Sequence, residues 1–295
     1  MTKIYRDYTQ EELDRQYEHR NIVQNADEFT ARARAESKRV RESFAGRGRF
    51  DLAYGPEPKQ KLDVYPAASP SAPAAVWFHG GRWQMNSKDD SNRAVETFTR
   101  AGVTLVAAGF RQAPDNRMDV IIDDARKAVA WVYNNAASIG VDRNRLYIVG
   151  HSSGGHMAGM MVTTDWTKLG LPRDAVKGGL CGSGMYDLEP VRLTFRNEAL
   201  KLDEEAAARN SPIKHIPVPG CPIVVTVGQL ESDEFRRQSR EFADAWRKAG
   251  NQVQFIEVPR LHHFSLSADF NNPENPAIKA TLDLIGAKPK AAAAE

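Results

Sequence analysis

The stretch Leu146-Tyr147-Ile148-Val149-Gly150-His151-Ser152-Ser153-Gly154-Gly155-His156 constrains this chain more than any other. An apolar run at 146–149 meets a Gly-x-Ser-x-Gly pentapeptide, and helix-forming residues continue through 157–162. Strand, sharp turn and helix are the context in which this motif holds a serine on a strained elbow. Gly150 and Gly154 lack the side chains that would clash as the backbone reverses, which leaves Ser152 at the tip. Its hydroxyl then lies beside the free N–H groups of a helix start, where a negative oxygen is stabilised. Alone, the pentapeptide is also an ordinary Gly/Ser turn, so the rest of the chain has to decide.

Elsewhere, strand-length apolar runs alternate with helical segments. Strands are expected at 74–78, 103–108, 146–149, 176–181, 223–227 and 253–258. Helices are expected at 89–101, 118–137, 153–164, 234–249 and 276–285. This alternation predicts an α/β fold with a mostly parallel sheet covered on both faces. Runs at 50–54 and 60–65 flank Gly55-Pro56-Glu57-Pro58 and predict an antiparallel N-terminal hairpin at one sheet edge. The alternation lapses at about 184–221, an insertion after a late strand that we read as a small cap over the substrate pocket. Residues 1–46 are charged, and Thr9-Gln10-Glu11-Glu12 forms a capping box opening a first helix. With a second helix at about 26–44, this segment reads as a helical arm packed on the main domain or on a partner chain, with a frayed charged extension as the alternative. The expected organisation is arm 1–46, main α/β domain 47–286 and flexible tail 287–295.

Composition limits the partners. The 40 Lys and Arg balance 38 Asp and Glu, leaving no global field to attract nucleic acid or a membrane surface. No apolar run approaches the roughly 20 residues of a membrane span, and the N-terminus shows no signal-peptide core. Two cysteines, Cys181 and Cys221, suit a reducing cytoplasm. A homodimer is the commonest assembly and the expected one.

Acyl transfer at a serine needs a base, an acid to orient it and donors for the oxyanion. In a sheet of this kind the acid and the base follow Ser152 in that order, each after a late strand. Gly228-Gln229-Leu230-Glu231-Ser232-Asp233 follows 223–227, and Pro259-Arg260-Leu261-His262-His263-Phe264 follows 253–258. Spacing leaves Glu231 or Asp233, and His262 or His263, open. The oxyanion donors are expected to be the N–H of Ser153 and those of Gly80 and Gly81, in the loop after 74–78. His151 and His156 flank the nucleophile and are expected to pack rather than react. His19, His215 and Asp119/Asp123/Asp124 show no metal-ligand spacing, and neither a metal nor an organic cofactor is called for.

From about Tyr65 to Phe264 the chain resembles α/β-hydrolases of the arylformamidase (kynurenine formamidase) type, which are related to carboxylesterase and hormone-sensitive-lipase-like serine hydrolases. The likeness is carried by His79-Gly80-Gly81-Arg82-Trp83-Gln84, Ser87-Lys88-Asp89 and Gly150-His151-Ser152-Ser153-Gly154-Gly155-His156. Ser183-Gly184-Met185-Tyr186-Asp187-Leu188-Glu189-Pro190, Arg209-Asn210-Ser211-Pro212 and Glu234-Phe235-Arg236-Arg237-Gln238-Ser239 add to it. The resemblance implies Glu231 as the acid, where animal enzymes carry Asp, with Asp233 a lesser candidate, and His263 as the base. Ser152 would attack a formyl or other acyl carbonyl on a small amide or ester, N-formylkynurenine first among them. A carboxylesterase or amidase with another acyl substrate is the alternative, and a non-catalytic ligand-binding member of the fold a third. Arg82 replaces a residue usually aromatic in the family, and either pairs with a substrate carboxylate or projects to solvent. Trp83 and Tyr186 are candidate pocket walls for an aromatic leaving group, set against the commoner role of large aromatics at such places as core.

Overall fold

The computed structural model describes residues 2–90 and 92–287, so the expected tail lies, beyond Ala287, outside the described residues. Among the described residues the strands are β1 Arg49–Ala53, β2 Lys61–Tyr65, β3 Ala72–Phe78, β4 Thr104–Ala108, β5 Val141–His151, β6 Gly178–Gly182, β7 Ile223–Gly228 and β8 Val253–Val258. They form one eight-stranded sheet in the order β1-β2-β4-β3-β5-β6-β7-β8. The pairs β1/β2 and β2/β4 are antiparallel; every neighbouring pair from β4 to β8 is parallel. This is the α/β-hydrolase architecture, with the N-terminal hairpin at one edge.

The arm holds helices α1 Gln10–Tyr17, α2 His19–Ile22 and α3 Ala26–Ser43. The sheet connections carry α4 Ala94–Arg100, α5 Met118–Asn134 and α6 Ser153–Val162, and the insertion carries α7 Glu189–Arg192, α8 Asn197–Leu200 and α9 Glu204–Arg209. Helices α10 Asp233–Lys248, α11 His263–Asp269 and α12 Pro276–Ile285 follow.

The two-residue period of the strands divides the core. Ala74, Val76 and Phe78 of β3 face a cluster with Ile121, Met157 and Phe242, from α5, α6 and α10. Ala75 and Trp77 face the opposite layer, with Val40, Phe98, Leu266 and Ile278 from α3, α4, α11 and α12. A parallel sheet buried on both faces needs apolar residues at consecutive positions, and all seven residues of β3 are buried.

Several elements differ from the sequence reading, the short α2 of the arm among them. β5 begins at Val141, because the polar stretch Asp142-Arg143-Asn144-Arg145 continues the extended chain outside the core. The helix expected at 89–101 is reduced to α4. Helix α11 was not foreseen; it starts at His263, with the His262 side chain accepting from the Ser265 N–H as its cap.

The arm packs on the main domain. Thr9 and Glu12 close the expected capping box on α1. The Tyr17 hydroxyl, fully buried, donates to Glu234 Oε2 at 3.1 Å and accepts from Gln238 Nε2 at 2.7 Å, both on α10. Asp14 accepts from the Phe195 N–H at 2.8 Å, and Asn271 donates to Glu36 at 2.7 Å. These contacts lay the arm across the carboxyl ends of the strands.

Candidate active site

The strand order places β3 and β5 side by side, with Phe78 opposite Gly150. The loops after these two strands therefore meet at the carboxyl edge, where the chain first turns to one side of β3 and then to the other, the position at which crevices open in such sheets. Ser152 lies there with φ +60° and ψ −126°, outside the favourable regions for a residue with a side chain. Close packing enforces the elbow: a Cβ on Gly154 would lie 2.0 Å from the Phe78 carbonyl oxygen, and one on Gly150 2.1 Å from that of Gly154. Ser152 also donates its backbone N–H to the Gly182 oxygen at 2.9 Å, which ties the turn to β6.

Three expected residues come together. His263 Nε2 lies 2.9 Å from Ser152 Oγ, and His263 Nδ1 lies 2.6 Å from Glu231 Oε2. The other carboxylate oxygen of Glu231 accepts from Ser183 Oγ at 2.5 Å and from the Gly228 N–H at 2.8 Å. All three side chains are buried. A carboxylate held by fixed donors on one oxygen presents the other to the imidazole, which sets the Nδ1–H tautomer and leaves Nε2 to accept from the serine. Asp233 does not join them: its side chain projects from the first turn of α10 into solvent, 3.7 Å from Arg236. His262 turns away from Ser152, its ring edge-on to Phe29.

Gly80 packs against the nucleophile: a Cβ there would stand 3.1 Å from Ser152 Cβ. Its carbonyl oxygen accepts from His79 Nδ1 at 2.8 Å and from Asn86 Nδ2 at 3.3 Å. In a planar trans peptide the C=O and the next N–H point in opposite directions, so these contacts aim the Gly81 N–H the other way. Burial holds the His79 pKa down at about 4, so the ring is neutral and keeps its single N–H for this bond. Gly81 has φ +127°, and a Cβ on it would strike the Met85 carbonyl oxygen at 2.1 Å. Among the described residues no protein acceptor takes the N–H of Gly80, Gly81 or Ser153.

Several other expectations need correction. Trp83 is not a pocket wall: it is 1% exposed, and its indole N–H donates to His156 Nδ1 at 3.2 Å, beneath the nucleophile helix. A buried indole needs an acceptor, and α6 supplies one. Tyr186 is likewise no wall; it stacks on Phe242 with ring centres 4.3 Å apart, and its hydroxyl accepts from the Gly184 N–H at 3.1 Å. Arg82 neither projects to solvent nor stands free, because it is ion-paired with Glu18 of the arm. His156 is buried and bonded to the Asn210 carbonyl at 2.7 Å, as expected of a packing residue. His151 also packs, edge-on to Phe270, and it lines the cleft as well, with its ring centre 4.6 Å from that of His263.

The cleft over Ser152 has a volume of about 380 Å³. The insertion was expected to cover it, yet Arg196 is the insertion residue that lines it, whereas the arm contributes His19, Arg20, Phe29, Thr30 and Arg34 among others. Its roof is the arm, because α2 and α3 reach the strand ends that α7 to α9 stop short of.

His19 is the closest of these arm residues to the chemistry. Its ring stacks on His263 with centres 4.1 Å apart, and its Nε2 lies 3.8 Å from Glu231 Oε2. Burial, then the neighbouring His263 and Arg196, hold its pKa well below the usual histidine value. His19, Glu231 and His263 bring metal-ligand atom types within 4.8 Å of one another. The Glu231 oxygens are already engaged by His263, Ser183 and Gly228. Sequence reasoning missed His19, Ser183 and Arg196. Ser183 alone left a local signal, a small polar residue ending the strand beside the nucleophile's.

Comparison with known proteins agrees with this geometry. A family model described as BD-FAE matches residues 62–175. A kynurenine formamidase of Danio rerio is 37% identical over 244 residues, 80% of this chain and 82% of that protein. One of Salmo salar is 35% identical, covering 80% of this chain and 82% of its own length. A solved Pyrobaculum calidifontis esterase shares the fold, with a TM-score of 0.70, 18% identity and coverage of 90% of this chain and 97% of that one.

Proposed function

The chain belongs to the kynurenine formamidase family of α/β-hydrolases, and from that premise we propose that it hydrolyses N-formylkynurenine to kynurenine and formate. The substrate rests on the kynurenine formamidase relatives at 35–37% identity, and the reaction type on the geometry of Ser152, His263 and Glu231, at 2.9 and 2.6 Å. It is a serine hydrolase, and no metal or organic cofactor enters the reading. As His263 Nε2 takes the hydroxyl proton, Ser152 Oγ bonds to the formyl carbon and the carbonyl pair moves onto oxygen. The N–H groups of Gly80, Gly81 and Ser153 receive that oxyanion. Glu231 stabilises the imidazolium, which then gives its proton to the departing aryl amine. Water, deprotonated by His263, attacks the formyl ester; formate leaves and Ser152 recovers its proton.

The reading places the enzyme in the cytoplasm, supported by two unpaired cysteines, Cys181 and Cys221. Among the described residues no helix is long and apolar enough to cross a membrane. Its partner is a small molecule, with neither nucleic acid nor membrane involved. A homodimer, the commonest assembly, completes the reading, and light scattering tests it.

The test is kcat/KM for N-formylkynurenine beside a short-chain aryl ester and an acetanilide, on one preparation. The reading expects the formyl amide to be preferred by orders of magnitude. Ester turnover with negligible formamidase activity would assign the protein to the carboxylesterase alternative.

A further inference from the structure

The cleft over Ser152 is positively charged in a nearly neutral chain. Arg20, Arg34, Arg82, Arg93 and Arg196 line it, against Asp27 and Asp90. Four of these arginines are matched by carboxylates: Arg20 by Asp27, Arg34 by Asp90, Arg82 by Glu18 and Arg93 by Glu36. Arg196 is not, since among the described residues no carboxylate pairs with it. It donates to the Tyr17 carbonyl and, at 3.4 Å, to Met185 Sδ, and its guanidinium carbon lies 5.7 Å from the Tyr17 ring centre. Its Nε has no acceptor, although the side chain is 4% exposed.

A buried guanidinium without an anion is costly, and a site that keeps one is incomplete until an anion arrives. Burial, then the nearby Arg82, bring the Arg196 pKa down to about 9, which still leaves it charged at neutral pH. The rest of the lining points the same way. Trp77 Nε1 and His151 Nε2, also residues of this cleft, are buried without a hydrogen-bond partner, whereas Arg93 Nε and His19 Nε2 have no hydrogen bond but lie 3.6 Å from Glu36 and 3.8 Å from Glu231. Two obligate donors, Arg196 Nε and Trp77 Nε1, are left without an acceptor on one cavity and call for a ligand that offers oxygen.

We infer that Arg196 anchors a carboxylate on the substrate, so that the cleft selects acyl compounds whose leaving group carries a negative charge. The inference depends on the formamidase reading for the identity of the leaving group, and not for its charge. Arg82, the sequence candidate for this contact, is already neutralised by Glu18 of the arm, and Arg196 takes the role it leaves. A planar guanidinium held by Tyr17 and Met185 is fixed before the substrate arrives, so little ordering cost falls on binding.

The test uses two probes with the same aryl formamide, their side chains ending in a carboxylate or in the matching carboxamide. The wild-type ratio of kcat/KM, carboxylate over carboxamide, is expected at about tenfold or more. In Arg196→Met the ratio falls to about one, and Arg196→Lys lies between, because an ammonium restores charge without the planar fork. A ratio near one in the wild type, or an unchanged ratio in Arg196→Met, overturns the inference. Should Arg196→Met fail to fold, the wild-type protein decides: an unreactive aryl-ketone carboxylate inhibits p-nitrophenyl acetate hydrolysis and its carboxamide does not. Equal inhibition by the two overturns the inference. Absence of any formamide turnover would refute the formamidase reading alone, since the inhibition assay still reads the anchor.

Discussion

His19, on the N-terminal arm, stacks face to face on His263 at 4.1 Å and an interplanar angle of 16°. The pair joins the first turn of α2 to the first turn of α11, far apart in sequence, and it makes the arm part of the active site. His263 is thereby enclosed, with Phe235 edge-on at 5.0 Å and the His151 ring at 4.6 Å. Packing on three sides holds the ring where it faces both Ser152 and Glu231.

The stacking has a kinetic consequence. An aromatic pair contributes about 0.5–1.5 kcal/mol beyond burial, so His19→Ala lowers kcat by roughly three- to tenfold. His19→Phe keeps the ring and recovers most of that loss. Steady-state kinetics with circular dichroism on each variant checks this. Wild-type kcat in a folded His19→Ala protein would reduce the arm to a lid.

The choice of acid is testable by three substitutions. Glu231→Gln removes the charge that sets the His263 tautomer and stabilises its imidazolium, and kcat/KM falls by about 10³–10⁴. Ser183→Ala deletes a 2.5 Å bond to the same carboxylate and costs about tenfold. Asp233→Ala stays within about twofold, as exposed substitutions do. The reverse order between Glu231→Gln and Asp233→Ala would reassign the acid.

Much of this site was legible because its signals are local. The elbow at Gly150-His151-Ser152-Ser153-Gly154 needs glycines wherever a Cβ would meet backbone, and that requirement is written into consecutive residues. The Gly80-Gly81 turn is legible for the same reason. Spacing could not separate Glu231 from Asp233, because which of two loop carboxylates faces the histidine depends on where α10 begins. That start exposes Asp233 and buries Glu231. The resemblance to arylformamidases supplied what spacing lacked. His19 and Arg196 were invisible to both routes: one opens the short α2 and the other immediately precedes the short α8, and the path of these segments over the sheet is set by tertiary contacts such as Tyr17 with Glu234 and Asp14 with Phe195. Trp83 and Tyr186 misled for a related reason. Large aromatics beside a functional loop serve equally as core, and both side chains point inward.

Buried histidines make the fold acid-sensitive. Burial lowers the pKa of His79 and His156 to about 4, and those of His19 and His151 well below 6.5. In the unfolded chain each takes up a proton near 6.5, while the native state resists it. Stability is therefore full above about pH 6.5 and declines as pH falls below it, by up to ~1.4 kcal/mol per pH unit for each histidine. Thermal melts from pH 7.5 to 4.5 should show a Tm that drops progressively below about 6.5. A flat Tm across that range would contradict the buried, neutral state assigned to these rings.

The central claim is that Ser152 is a nucleophile activated by His263 and Glu231, and covalent labelling tests it most directly. The protein is incubated briefly with a fluorophosphonate, its intact mass measured and the adduct mapped by peptide sequencing. The account predicts one adduct per chain, on the peptide bearing Ser152, with labelling abolished in Ser152→Ala and slowed by orders of magnitude in His263→Ala. An adduct on another serine, or undiminished labelling of Ser152→Ala, would contradict it.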